Sequence, residues 1–175
     1  MVATINSRTK IHQGRVFDLV SENITLENGV TTNMVFVHHP GAAAIVPKVN
    51  QDQIILIKQY RHTLRDYIWE IPAGTRDPNE SVIVCAQREL VEETGYSAQK
   101  WTELGEITPV PGYSDERITI FLAAEIEPAA QNLDADEMLN VHKIEFDEAI
   151  NMIRRGEIQD SKTISGLFLA YNRLK

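Results

Sequence analysis

The stretch from Gly74 to Tyr96 constrains the chain most: Gly-Thr-Arg-Asp-Pro-Asn-Glu-Ser-Val-Ile-Val-Cys-Ala-Gln-Arg-Glu-Leu-Val-Glu-Glu-Thr-Gly-Tyr. Its first part is turn-forming, since Gly74 tolerates φ > 0 and Pro78 pushes Asp77 out of the helical region. From Ser81 the residues suit a helix as far as Gly95, which stands where a C′ glycine stops one. Asn79 or Ser81 supplies the N-cap, and Glu80 places negative charge at the positive end of the helix dipole. Val82, Cys85, Ala86, Leu90 and Val91 form an apolar stripe suited to packing on a sheet. Glu89, Glu92 and Glu93 then share one edge, where residues three and four apart are neighbours and like charges cost stability. A divalent cation among them would offset that cost. A solvated acidic face is the alternative for a bare Glu-x-x-Glu-Glu.

At 175 residues the chain holds one domain, or one with a small addition. The net charge of −8 disfavours broad contact with nucleic-acid phosphates or anionic membranes, so neither is an expected partner. The same charge would repel a phosphate-bearing substrate unless cations intervened. No stretch approaches the roughly 18 to 20 apolar residues that span a bilayer, and a cytoplasmic location is expected. The single cysteine, Cys85, excludes an internal disulfide framework and reads as a small buried hydrophobe.

Residues 1–10 are polar and expected to be frayed or edge-paired. Val16 to Leu26 and Thr31 to His38 flank Glu27-Asn28-Gly29, a hairpin signal, so 1–40 read as an N-terminal antiparallel β region that must pack on the main domain or a second subunit. Pro40-Gly41 opens a second region, 41–175. There Ala42 to Val46, Gln53 to Gln59, Lys100 to Ile107, Ile118 to Ile126 and Val141 to Ile144 read as strands. Ile54 to Ile57 is apolar on both faces, as a central strand would be. The proline-bearing connection from Thr108 to Glu116 reads as a semi-rigid binding loop, and the acidic one from Pro128 to Glu137 as a mobile loop. Phe146 to Arg155 and Ser161 to Leu174 read as helices. The fold class is therefore α+β, with a mixed sheet between helices. His38, His39 and His142 lack metal-ligand spacing, and Trp101 and Phe121 read as core.

Gly74, Glu80, Arg88-Glu89-Leu90, Glu92-Glu93 and Gly95 together resemble the Nudix box at every fixed position, with Tyr96 where an aliphatic residue is usual. The resemblance spans nearly the whole chain and implies the Nudix α/β/α sandwich. Within that superfamily the chain is most similar to ADP-ribose pyrophosphatases, through Gln59-Tyr60-Arg61, Trp69 to Gly74, and Pro111-Gly112-Tyr113-Ser114-Asp115-Glu116. Pro111 falls sixteen residues after Gly95, the placement that marks the ADP-ribose branch. That family exchanges its N-terminal β region between subunits, which implies a homodimer.

Carried over by position, the resemblance makes Glu89 and Glu93 metal carboxylates, Glu92 a further ligand or water-holder, and Ala73 the donor of a backbone carbonyl to Mg²⁺ or Mn²⁺. Arg88 would hold the glutamates by ion pairing, and Glu80 would orient the loop or a metal-bound water. Arg61, Glu70, Pro111 and Glu116 match substrate-side positions. In the acidic loop the family often carries a glutamate as catalytic base or metal ligand. Here Leu133-Asp134-Ala135-Asp136-Glu137 is interrupted by Ala135, so Glu137 is the choice, with Asp136 and Asp134 behind it; a motif glutamate is the alternative base, and Glu92 and Arg88 count with Glu137 as catalytic residues. The implied reaction is hydrolysis of the pyrophosphate bond of a nucleoside diphosphate linked to a sugar, ADP-ribose first. Another nucleoside diphosphate-sugar, NADH or a dinucleotide polyphosphate are alternatives, and a non-catalytic nucleotide-sensing module is the rival of another class.

Overall fold

The computed structural model describes residues 2–174, and none of the helices in that range is long and apolar enough to cross a membrane. The chain divides into two compact units, one of residues up to Gly41 with Thr108–Arg117, the other of Ala42–Ile107 with Ile118 onward.

In the first unit, β1 (Ala3–Gln13), β2 (Asp18–Leu26) and β3 (Thr31–His38) form an antiparallel sheet in that order. The β2–β3 turn is the expected Asn-Gly one, with Gly29 at φ 82° and its N–H donating to Leu26 O. The polar N-terminal residues are edge-paired: β1 lies along β2, with register shifts after Ile5 and Lys10. The segment Thr108–Arg117 docks on β3. Val37 N–H donates to Tyr113 O at 2.8 Å, and Asp115 N–H to Val37 O at 3.1 Å. Asp115 also accepts from His39 N–H and pairs with His38 Nδ1 at 2.6 Å. Burial would push the Asp115 carboxyl up, but these histidine contacts outweigh it and hold the group below its usual range.

The second unit contains β4 (Ala42–Pro47), β5 (Gln53–Arg61), β6 (Asp66–Glu70), β7 (Ala73–Thr75), α1 (Val82–Thr94), β8 (Tyr96–Ile107), β9 (Ile118–Pro128), β10 (Leu139–Glu145), α2 (Phe146–Arg154) and α3 (Ser161–Leu174). One sheet is mixed, in the order β7-β4-β9-β8, with β4 parallel to β9; the other is antiparallel, β10-β5-β6. Strand β4 alternates between two cores. Ala42, Ala44 and Val46 pack with Ala149, Met152, Leu167 and Ala170 of α2 and α3, whereas Ala43 and Ile45 pack with Cys85, Ala86 and Leu90 of α1. Period-two alternation thus gives the helix/sheet/helix layering that the Nudix resemblance implies. Ile54 to Ile57 are all buried in the middle strand of the antiparallel sheet, as a run apolar on both faces requires.

Ser81 is the N-cap of α1, its Oγ accepting from Val84 N–H, while Asn79 instead takes a left-handed φ of 65° in the preceding turn. Gly95 closes the helix at φ 71°, its N–H donating to Val91 O. The chain passes from it directly into β8, which begins at Tyr96 rather than near Lys100. Pairing with β9 from Pro128 backward decides that start, and local propensity does not reveal it.

Candidate active site

The short strand β7 and the helix α1 bring the motif residues together. The Arg88 guanidinium is the centre of the cluster. Its Nε donates to Glu80 Oε1 at 3.0 Å and its Nη2 to Glu80 Oε2 at 3.0 Å, while Nη1 reaches Glu89 Oε1 at 2.7 Å and Glu92 Oε2 at 2.9 Å. A further bond from Nη2 to Thr75 O, at 3.2 Å, ties the loop to the helix. Glu80 also accepts from Asp77 N–H, and Arg76 donates to the Glu80 carbonyl. The Arg88 fork, more than any other contact, holds the Glu80 carboxyl down at about 2.

Glu93 is treated differently. It is 1% exposed, and its carboxyl accepts from Ala73 N–H at 2.8 Å. Burial, then the neighbouring Glu89, push it well above its usual range. Glu89 is also buried, and burial, only partly offset by Arg88, raises it to about 7. Two buried carboxylates side by side stay short of positive charge even with Arg88 on the outer flank and the charge of Lys162 acting on Glu93, because burial outweighs both. Hard oxygen donors in that condition fit a divalent cation. Among the described residues no three His, Cys, Asp or Glu side chains already converge as a closed ligand set. The carboxylates are instead held by Arg88 and Ala73 N–H, so a cation would share them with these donors.

Gly74 is required by close approach. A Cβ there would lie 1.9 Å from Glu89 Oε1, so any side chain would evict the carboxylate from its place. Cys85, the expected small hydrophobe, is fully buried beneath the loop, with its Sγ 3.5 Å from Gly74 O. Burial raises its thiol to about 12, which leaves it inert as a nucleophile.

The acidic loop expected to be mobile is laid along the end of α1. Ala129 N–H donates to Gly95 O at 2.8 Å, Asn132 N–H to Glu92 O at 3.1 Å, and Gln131 Nε2 to Glu93 O at 2.5 Å. The last carbonyls of a helix lack partners within it, and this loop supplies them. Glu137 sits in a turn of its own, its N–H bonded to Asp134 O and its Oε2 to Asp134 N–H. It is near enough to Glu89 and Glu93 for its charge to raise both. Asp134 and Asp136 lie on the same loop and are exposed.

Arg61, at the end of β5, reaches over to Glu70, at the end of β6, although the register sets Arg61 opposite Asp66 and Glu70 opposite Ile57. Arg61 Nε and Nη2 donate to Glu70 Oε1 and Oε2 at 2.6 and 2.7 Å. Glu70, expected on the substrate side, is 1% exposed, and its Oε2 also meets Lys162 Nζ. Burial pushes the Glu70 carboxyl up, yet Arg61 and Lys162 together bring it below its usual value. Lys162, Asp160 and Thr163 of the α3 start escape a reading of the sequence. The available signal was an Asp before a helix with a Thr three residues on, which marks a cap and says nothing of a buried lysine. Pro111 and Glu116 belong to the first unit, where Pro111 is exposed and Glu116 Oε1 lies 3.8 Å from His39 Nδ1.

A sequence model of the NUDIX domain matches residues 37–166. The chain belongs to the NUDIX family. The ADP-ribose pyrophosphatase of Bacillus subtilis is 36% identical over 159 residues, covering 90% of this chain and 86% of that protein. The methanol dehydrogenase activator of Bacillus methanolicus is 38% identical over 157 residues, 89% of this chain and 85% of its own. The crystal structure of an ADP compounds hydrolase superposes with a TM-score of 0.84 at 28% identity, covering 99% of this chain and 95% of that one.

Proposed function

We propose that this NUDIX enzyme, a pyrophosphohydrolase, hydrolyses the pyrophosphate bond of a nucleoside diphosphate linked to a sugar, with ADP-ribose as the first candidate and AMP and ribose 5-phosphate as products. The buried, charge-deficient pair Glu89 and Glu93 carries this reading, because a site built to hold like charges out of water is suited to cations that accompany a diphosphate. The relatives named for ADP-ribose and ADP compounds support the substrate class.

Glu89 and Glu93, with Glu92 and the Ala73 carbonyl, would hold Mg²⁺ or Mn²⁺. Such a cation offsets the two negative charges of the diphosphate and lowers the pKa of water. The residues of the chain supply the rest. Arg88 holds Glu89 and Glu92 in one geometry from the outer side. Arg61, with Nε and Nη2 committed to Glu70, offers its remaining N–H groups to a phosphate oxygen. The Glu137 carboxylate takes the proton of the attacking water, and Asp136 and Asp134 are next in line for that role. Glu116 serves the ribose or base side of the substrate, and Pro111 is a further substrate-side position. The enzyme works in the cytoplasm as a homodimer joined through its N-terminal β region.

Assay of the purified protein with Mg²⁺ against ADP-ribose, GDP-mannose, UDP-glucose, NADH and nucleoside triphosphates tests the proposal. ADP-ribose should give the largest kcat/KM. Turnover of none of the diphosphate-linked compounds would overturn it, and preference for another would change only the substrate. Glu93→Gln should lower kcat/KM at least about 100-fold with the fold intact, as loss of a metal ligand does.

A further inference from the structure

Arg61, Glu70, Lys162 and Asp160 form a chain of alternating charge from the end of β5 to the start of α3. The Arg61 side chain is 39% exposed, Glu70 only 1% and Lys162 11%, so the row runs inward from solvent. Arg61 Nη1 donates to nothing among the described residues. A buried carboxylate with one partner at the surface would be poorly compensated and free to turn with that partner. Lys162 supplies the second, inner partner, on the same Oε2 that receives Arg61 Nη2.

Lys162 is itself fixed. Its Nζ lies 3.1 Å from Asp160 Oδ2, and that oxygen also accepts from Thr163 N–H at 2.9 Å and Thr163 Oγ1 at 2.6 Å. Thr163 Oγ1 in turn accepts from Ile71 N–H at 2.9 Å, one residue beyond Glu70. Gly166 allows this helix to approach so closely, for a Cβ there would meet Ile71 Cδ1 at 2.8 Å. The helix start therefore grips Glu70 through a side chain and Ile71 through the backbone.

We propose that Lys162 is a positioning residue: it fixes the Glu70 carboxylate so that the Arg61 fork is locked with its Nη1 edge presented to a substrate phosphate. Lys162 is too buried to serve that phosphate itself. The inference rests on the reading of Arg61 as a phosphate contact.

The test is a double-mutant cycle on ADP-ribose hydrolysis with Arg61→Ala, Lys162→Met and the double variant, each checked by circular dichroism and thermal unfolding. Lys162→Met should raise KM by about tenfold, the worth of one charged hydrogen bond, and leave kcat within about threefold. In the Arg61→Ala background it should raise KM no further. If Arg61→Ala leaves KM unchanged, the reading of Arg61 as a phosphate contact fails, and the inference about Lys162 with it. If Arg61→Ala raises KM but Lys162→Met does not, or multiplies KM equally in both backgrounds, the positioning role alone is overturned. A Lys162→Met effect confined to kcat and Tm overturns it as well. Should Lys162→Met not fold, Lys162→Gln, which keeps a hydrogen-bond donor and loses the charge, takes its place in the cycle with the same outcomes.

Discussion

Glu93 and Glu89 are the residues least able to stay charged on their own, and pH exposes that. Glu89 titrates near 7 in the folded chain against an ordinary 4.5, because burial outweighs the help of Arg88. Between those values the folded state binds more protons than the unfolded one, so the metal-free protein loses stability as pH rises through that window. Glu70 and Glu80 shift the other way, and their contributions are lost only as pH falls below 4.5. A cation requires the deprotonated carboxylates, so its binding should strengthen as pH rises toward about 7. Thermal unfolding with EDTA or with Mg²⁺ between pH 5.5 and 8 measures both trends. The increment in Tm due to Mg²⁺ should grow with pH; an increment that shrinks would contradict the assignment of these ligands. Gly74 gives a second test. The Cβ of Gly74→Ala meets first the flexible end of Glu89, so the fold should survive while the carboxylate is displaced. The concentration of Mg²⁺ giving half-maximal activity should rise roughly 10- to 100-fold. Unchanged Mg²⁺ dependence would show that Glu89 needs no such place.

The elements differ in how far the sequence discloses them. Helix α1 was legible to its ends, because its cap, its C′ glycine and its apolar stripe are all local signals. Its carboxylates were legible as a cluster, but not the division by which Arg88 takes Glu89 and Glu92 while Ala73 N–H takes Glu93. The Glu70–Lys162 pair was not legible, since its members stand 92 residues apart and a lone lysine in a helix reads as solvated. The anchoring of the loop after β9 was hidden for a related reason. Composition shows an acidic connection from Pro128 to Glu137, but not that its groups bond to carbonyls at the end of α1. That anchoring carries a prediction about Glu137. Gln131→Ala removes one anchor without touching the carboxylate, and should lower kcat several-fold with KM nearly constant. Glu137→Gln should lower kcat by about 100-fold or more, as loss of a general base does. Glu137→Gln should move stability by about 0.5 kcal/mol or less, and Gln131→Ala, which loses a hydrogen bond to the helix end, should lower it by about 1 kcal/mol. Full activity of Glu137→Gln would pass the role of base to Asp136 or Asp134.

On the scale of the whole molecule, β1 is the element left with least to do in a single chain. It is an eleven-residue edge strand that among the described strands pairs with β2 alone, and Ile5 and Ile11 on it are 58% and 53% exposed. Natural sheets shield such edges by shortening, charging or covering them. Lys10 and Arg8 charge part of this edge but pair inward with Asp18 and Glu22, so the apolar positions remain uncovered. A second copy of the chain is the cover expected from the homodimer reading. Light scattering after gel filtration should then give a mass near twice the 19.8 kDa of one chain at micromolar concentration. Ile5→Asp with Ile11→Asp should halve that mass, because two carboxylates would be buried without partners in the dimer and solvated in the monomer. Circular dichroism should show the β1–β2–β3 pairing retained, since these side chains are already exposed in the single chain. A single-chain mass for the unmodified protein would refute the dimer. An unchanged dimer in the double variant would move the interface away from β1, to another surface of the chain.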